Sequence, residues 1–239
     1  MNFWGNTPKF FENWHGFQYF TNTHTDGGAG NHHNEFIKCI QVMSKNKHWN
    51  RALDWCCGDG GLGLAIIGEK MTDECVFMDN YDLAIEHCKF NLHHNNIKAD
   101  VIKADKISSL DCGKFDLVIG NPPNCNICEI HRMYQGGWLK PNPLKPMNYQ
   151  EALKEISSNK PHRTFDVEWQ IHKEFYQNIT KHLNPGADIF MLEWEMQSNP
   201  LHWEWGELPE GLSIYQWMDG THVPTLDRFK YVLHLKYEP

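Results

Sequence analysis

The chain has 239 residues, enough for one α/β domain with its own core. Its 41% hydrophobic and 22% charged residues exclude disorder over most of the length, and a formal net charge of −8 provides no overall field for a polyanion, although a local basic patch stays open. The 8 cysteines lack the spacing of a secreted disulfide scaffold, Met1-Asn2-Phe3-Trp4 does not begin a basic-then-apolar leader, and no apolar run approaches the ~18 residues of a membrane span. A soluble protein of a reduced, cytoplasmic compartment is expected.

Residues 1–33 read as an aromatic-rich N-terminal arm. Phe3, Trp4, Phe10, Phe11, Trp14, Phe17, Tyr19 and Phe20 show neither helical nor strand periodicity, and Thr25-Asp26-Gly27-Gly28-Ala29-Gly30 breaks the chain. An irregular arm packed over the main domain, 34–239, is expected. From Asn34 the spacing of Phe36, Ile37, Ile40 and Met43 predicts a helix, and Arg51-Ala52-Leu53-Asp54-Trp55 a short buried strand. A helix starting near Leu62, a strand at Cys75-Val76-Phe77-Met78 and a helix from Asp82 to Asn95 continue a βαβα alternation. Leu83, Ile85, Cys88 and Leu92 are its candidate inward positions.

Val101-Ile102, Phe115-Asp116-Leu117-Val118-Ile119 and Asp188-Ile189-Phe190-Met191-Leu192 read as further strands, with a long helix from about Phe165 to His182. Such alternation implies a mostly parallel sheet covered on both faces. Leu212–Trp217 and Lys230–Leu235 have no helix between them and predict an antiparallel closing pair. Between them and the fourth strand, the polar, Pro-rich stretch at about 124–164 is too long for an ordinary connection and reads as a substrate lid.

The chemistry concentrates at two places. Leu53-Asp54-Trp55-Cys56-Cys57-Gly58-Asp59-Gly60-Gly61-Leu62-Gly63 turns sharply from strand to helix, with glycines that let backbone approach a ligand. Taken alone it also satisfies Gly-x-Gly-x-x-Gly, with Asp79 near the position of a ribose-binding acid, so a dinucleotide reading has to be answered. The second place is Asn121-Pro122-Pro123-Asn124, directly after a strand. Its prolines fix the backbone and remove N–H groups, leaving the Asn121 side-chain oxygen and the Pro122 carbonyl as two acceptors suited to one NH₂ group.

Asp54, Asp105 and the Asn-Pro-Pro segment are not required by a dinucleotide fingerprint. With the glycine loop, they give a sequence that resembles the class I S-adenosylmethionine-dependent methyltransferases, in the branch with an (Asn/Asp/Ser)-Pro-Pro-(aromatic) motif. The resemblance runs from about Asp26 to the C-terminus and implies a Rossmann-like α/β fold: a mostly parallel seven-stranded sheet with an antiparallel C-terminal strand. It implies S-adenosyl-L-methionine as cofactor, with Asp54 near the methionine amino group, Gly58 and Gly60 shaping the pocket, and Asp79 on the ribose hydroxyls. Asn80 and Tyr81 would line the adenine side, and Asp105 would accept from the adenine amino group, with Asp100 as a competitor. Cys56 stands where the family usually has Gly.

The same resemblance assigns Asn121, Pro122 and Pro123 to catalysis, by orientation for in-line transfer rather than by a general base. Asn124 replaces the usual stacking aromatic, and Trp138 is the candidate substitute on the substrate side. Asp166–Phe175, His182–Ala187 and Leu192-Glu193 look like HemK-like protein glutamine-N5 methyltransferases, whose substrates are peptide release factors. Phe20 through Gly28 resembles the entrance of ribosomal-RNA guanine-N2 methyltransferases, and adenine-N6 DNA enzymes share the tetrapeptide. Net charge and Asn124 favour a protein glutamine over an RNA or DNA base. A non-catalytic cofactor-binding module is the alternative from another class. Cys125, Cys128 and His131 offer three ligands where structural zinc normally takes four, so no metal site is expected. His32-His33 and His93-His94 read as polar surface pairs.

Overall fold

The computed structural model describes residues 8–22, 32–123, 166, 169–194, 208–219, 222 and 230–239. In chain order it contains β1 (Pro8–Trp14), β2 (Phe17–Asn22), α1 (His32–Ser44), β3 (Trp49–Trp55), α2 (Gly61–Gly68), β4 (Thr72–Asp79), α3 (Asp82–His94), β5 (Val101–Lys103) and β6 (Phe115–Gly120). It continues with α4 (Gln170–Asn178), β7 (Leu183–Trp194), β8 (Leu212–Asp219) and β9 (Lys230–Tyr237). Seven strands form one sheet in the order β5-β4-β3-β6-β7-β9-β8. β3 through β7 pair in parallel, whereas β9 runs antiparallel to both neighbours.

The central strands are apolar because both faces are covered. Leu53, Val76 and Val118 point to one face, with Phe175, Ile179 and the Ile107–Ser109 turn. Ala52, Phe77, Leu117 and Ile119 point to the other, where α1, α2, the hairpin and α3 pack. The expected inward positions of α1 are buried; on α3 Ile85, Cys88 and Leu92 are buried and Leu83 is half-buried. One buried polar knot joins three strands: Asp188 on β7 accepts from Trp49 Nε1 at 2.9 Å and Lys47 Nζ at 2.7 Å, and lies 2.7 Å from His234 Nε2. Among the described residues no helix is long and apolar enough to cross a membrane.

Three expectations need correction. Residues 8–22 are not irregular but form an antiparallel hairpin, closed by His15 and Gly16 at φ 50° and 91°. Aromatics on both of its faces hid the alternation: Phe11, Trp14 and Tyr19 join the core, while Phe10 lies tilted against Phe20, which in turn meets Phe90 and His94 of α3. The long helix expected from about Phe165 begins only at Gln170, because Trp169 takes a left-handed conformation (φ 59°). Its first turn is capped by Asp166, whose carboxylate accepts the Ile171 and His172 N–H groups, and it tightens into a 3-10 turn at Ile179–His182. His33 is buried beside the edge of Trp14 rather than exposed, whereas His93 and His94 are exposed as expected.

Candidate active site

Parallel α/β sheets gather ligands at the C-terminal ends of their strands, where the strand order reverses. Here that point lies between β3 and β6, since β4 and β5 extend the sheet one way and β7 the other. Trp55 and Gly120 are register partners, so the loop after β3 and the segment after β6 leave the sheet at the same level.

Asp54 lies at that end of β3, fully enclosed. Its Oδ2 accepts the Gly63 N–H at 2.8 Å, tying the strand to the first turn of α2. Its Oδ1 is buried without a hydrogen-bond partner. Burial raises the Asp54 carboxyl to about 8, and the Asp79 and Asp59 charges add to that rise while the Gly63 N–H opposes it. The following turn runs through Cys56, Gly58 and Gly60 at φ 56°, 56° and 84°. Cys56 therefore adopts the left-handed backbone for which the family resemblance expects glycine. A side chain on Gly63 would force its neighbours to shift, because its Cβ would lie 2.2 Å from the Phe77 ring.

Asp79 ends β4 and closes the turn from the other side. Its Oδ2 accepts the Gly58 N–H and its Oδ1 the Tyr81 N–H, both at 2.9 Å. Burial pushes this carboxyl up as well, against the N–H groups of Tyr81, Gly58 and Asn80. Asn80 Nδ2 donates to Asp105 Oδ1 at 2.9 Å, linking the ends of β4 and β5. Asp105 follows β5, whereas its competitor Asp100 precedes it, at the opposite end of the strand. Beside this arc, Gly120 leads into Asn121, half-buried, and Pro122, buried. A Cβ on Gly120 would come within 2.9 Å of the Met191 sulfur, so glycine lets β6 and β7 close tightly beneath the Asn-Pro-Pro segment.

The structure thus brings Asp54, Cys56, Gly58, Gly60, Asp79, Asn80, Asp105, Asn121, Pro122 and Pro123 to one edge of the sheet. Asn124, Trp138, Cys125, Cys128, His131 and the stretch 124–164 lie outside the described residues. Two polar assemblies at this edge escape sequence reasoning. Asp59, inside the glycine turn, is buried and bound to hairpin side chains. His172 is buried between two carboxylates, with Nδ1 2.6 Å from Asp166 and Nε2 3.3 Å from Glu193 at the end of β7. Burial alone would lower the His172 pKa, but the Glu193 charge and the bonds to Asp166 and Glu193 outweigh it and raise the group to about 9.

This strand order, with its single reversed strand near one edge, is the class I methyltransferase fold. A T. thermophilus 16S rRNA N2 methyltransferase, solved in complex with AdoMet and guanosine, superposes with a TM-score of 0.58 at 13% identity, over 98% of this chain and 51% of that one. Residues 35–133 match the family model of the methyltransferase small domain. Ribosomal RNA small subunit methyltransferase C of Haemophilus influenzae is 33% identical over 78 residues, 33% of this chain and 23% of that protein. Release factor glutamine methyltransferase of Clostridium botulinum is 30% identical over 91 residues, 36% of this chain and 32% of that protein. The chain therefore spans less than a third of the length of either relative.

Proposed function

We propose that the chain is an S-adenosylmethionine-dependent N-methyltransferase acting on a planar amide or amino nitrogen. The observation that carries this reading is the arc of Asp54, Asp79 and Asp105 at successive strand ends, with the buried Asp54 Oδ1 lacking a partner and Asn121-Pro122 opening from the neighbouring strand. A buried acceptor without a donor fits a cationic ligand group. In this reading Asp54 holds the methionine ammonium end, Asp79 accepts from the ribose hydroxyls, and Asn80 and Asp105 bound the adenine. Cys56, Gly58 and Gly60 shape the turn between them.

The cofactor supplies an electrophilic methyl group. The Asn121 oxygen and the Pro122 carbonyl accept both hydrogens of the substrate NH₂, and Pro123 holds that backbone rigid, so the nitrogen lone pair is aimed for in-line transfer. The same two oxygens would stabilise the nitrogen as it becomes positive, and its proton would pass to solvent after transfer. Asn124 and Trp138 are assigned to the substrate side.

The favoured acceptor is a protein glutamine, on the net charge of −8 and the absence of a stacking ring at Asn124. The second reading is a guanine amino group in ribosomal RNA, favoured by the partial match to the small-subunit RNA enzyme. Labelled cofactor incubated in parallel with release factor, ribosomes and DNA separates the two. Label in the release factor is expected; label in RNA or DNA instead would move the assignment to a base, and cofactor binding without any transfer would indicate a binding module. Asn121→Ala is expected to lower transfer at least about a hundredfold while leaving cofactor affinity within about twofold. Near-normal turnover in that variant would remove the orienting role from Asn121.

A further inference from the structure

The glycine turn is held from outside the crevice by the N-terminal hairpin. Asp59 lies between Gly58 and Gly60, and its two carboxylate oxygens accept one hydroxyl each, from Tyr19 and from Thr21, both on β2. Trp14 Nε1 donates to the Gly61 carbonyl at 2.8 Å. Asn91 of α3 completes the joint: its Nδ2 donates to the carbonyls of Asp59 and Phe20, and its Oδ1 accepts the Phe20 N–H, each at 2.9 Å. The fit is close enough that a Cβ at Gly61 would lie 2.6 Å from the Tyr19 hydroxyl.

A carboxylate inside a tight turn is costly to bury unless donors meet it. Here the donors come from a segment some 40 residues earlier in the chain, so the conformation of the turn depends on where the hairpin sits. The turn contains three left-handed residues within five positions, Cys56, Gly58 and Gly60; the glycines adopt this backbone freely, whereas at Cys56 local preference opposes it. Its other side is tied by the Gly58 N–H to Asp79. The turn is therefore gripped from both sides: by an acid of the crevice and, through Asp59, by the hairpin.

We propose that Tyr19 and Thr21 are positioning residues for the cofactor: acting through Asp59, they hold the Gly58–Gly61 turn in the shape that receives it. This rests on the methyltransferase reading above. It makes residues 8–22 part of the cofactor-binding apparatus, not merely a cover for the core.

The test compares the full-length chain with Tyr19→Phe/Thr21→Val, Thr21→Val and Thr21→Ser, measuring S-adenosylmethionine affinity by calorimetry and amide hydrogen exchange by residue. In the double variant the dissociation constant is expected to rise at least about tenfold, equivalent to about 1.4 kcal/mol. Amides of the turn should exchange about tenfold faster while those of β3 and β6 keep their rates, and Thr21→Ser, which retains the hydroxyl, should behave as wild type. Unchanged affinity and unchanged turn exchange would overturn the proposal. So would acceleration spread equally over β3, β6 and the turn, which would mark a purely structural role. Thr21→Val is read by the same outcomes if the double variant does not fold. If the wild-type chain binds no S-adenosylmethionine, the methyltransferase reading fails, and turn exchange still decides whether the hairpin sets the turn.

Discussion

Asp54→Asn addresses the electrostatics of the crevice at its most enclosed point. The wild-type carboxyl stands at about 8 instead of 3.8, chiefly through burial. Ionising it in the ligand-free fold at high pH therefore costs on the order of 5 kcal/mol relative to water. Because the folded value lies above the unfolded one, the stability contributed by the protonated acid is complete below about pH 3.8 and is lost as pH rises through about 8. An asparagine keeps an acceptor for the Gly63 N–H and does not ionise. The stability of Asp54→Asn should consequently gain on wild type with rising pH, by about 2 kcal/mol between pH 6 and pH 8, and the gap should level off above that. Cofactor affinity moves the other way, since the ammonium end of the ligand pairs with the ionised acid. Wild-type affinity is expected to rise about tenfold per pH unit up to about pH 8, and Asp54→Asn to bind weakly with little dependence on this group's titration. Calorimetric titrations and thermal melts from pH 6 to pH 9 read both effects. A flat wild-type affinity, or a stability gap that does not widen, would refute the assignment of a neutral, waiting acid at Asp54.

Gly63→Ala drives a methyl to within 2.2 Å of the Phe77 ring and 3.0 Å of Asp54 Oδ2, and is expected to cost about 1–3 kcal/mol, read as a lowered urea midpoint. His172→Ala leaves the buried Asp166 and Glu193 carboxylates without the imidazole between them and is expected to cost about 3–5 kcal/mol. In the wild type the same group, raised from 6.5 to about 9, contributes stability that is full below pH 6.5 and lost as pH rises through about 9. Urea melts across that interval should show the loss, and a pH-independent wild-type midpoint there would contradict a charged His172.

The strands and helices that position the crevice were legible because buried parallel strands are continuous apolar runs and α1 and α3 keep one apolar stripe. Arg51–Trp55, Cys75–Met78 and Phe115–Ile119 all lie within observed strands. The hairpin was not legible, because its two aromatic faces cancel the alternation that marks a half-buried strand. The late start of α4 depends on the left-handed Trp169 and the Asp166 cap, neither of which disturbs the apolar spacing downstream. At the site, acids that end strands could be read one by one from their positions. Asp59 could not, since an acid among glycines reads as a turn residue until its partners from β2 are known. His172 and Glu193 lie in segments that carry the family resemblance, but their pairing was equally silent, since they are 21 residues apart.

The left-handed cysteine at position 56 has a chemical consequence. A thiolate is a strong nucleophile, and one located beside an activated methyl group would compete with the intended acceptor and alkylate the protein itself. The residue keeps some exposed surface, yet its sulfur is enclosed, and burial followed by the charges of Asp79, Asp54, Asp166 and Asp105 holds the thiol far above its ordinary pKa. Burial, with the neighbouring acids adding to it, thus keeps Cys56 protonated, so that a nucleophile on the rim of the crevice is held in its unreactive form.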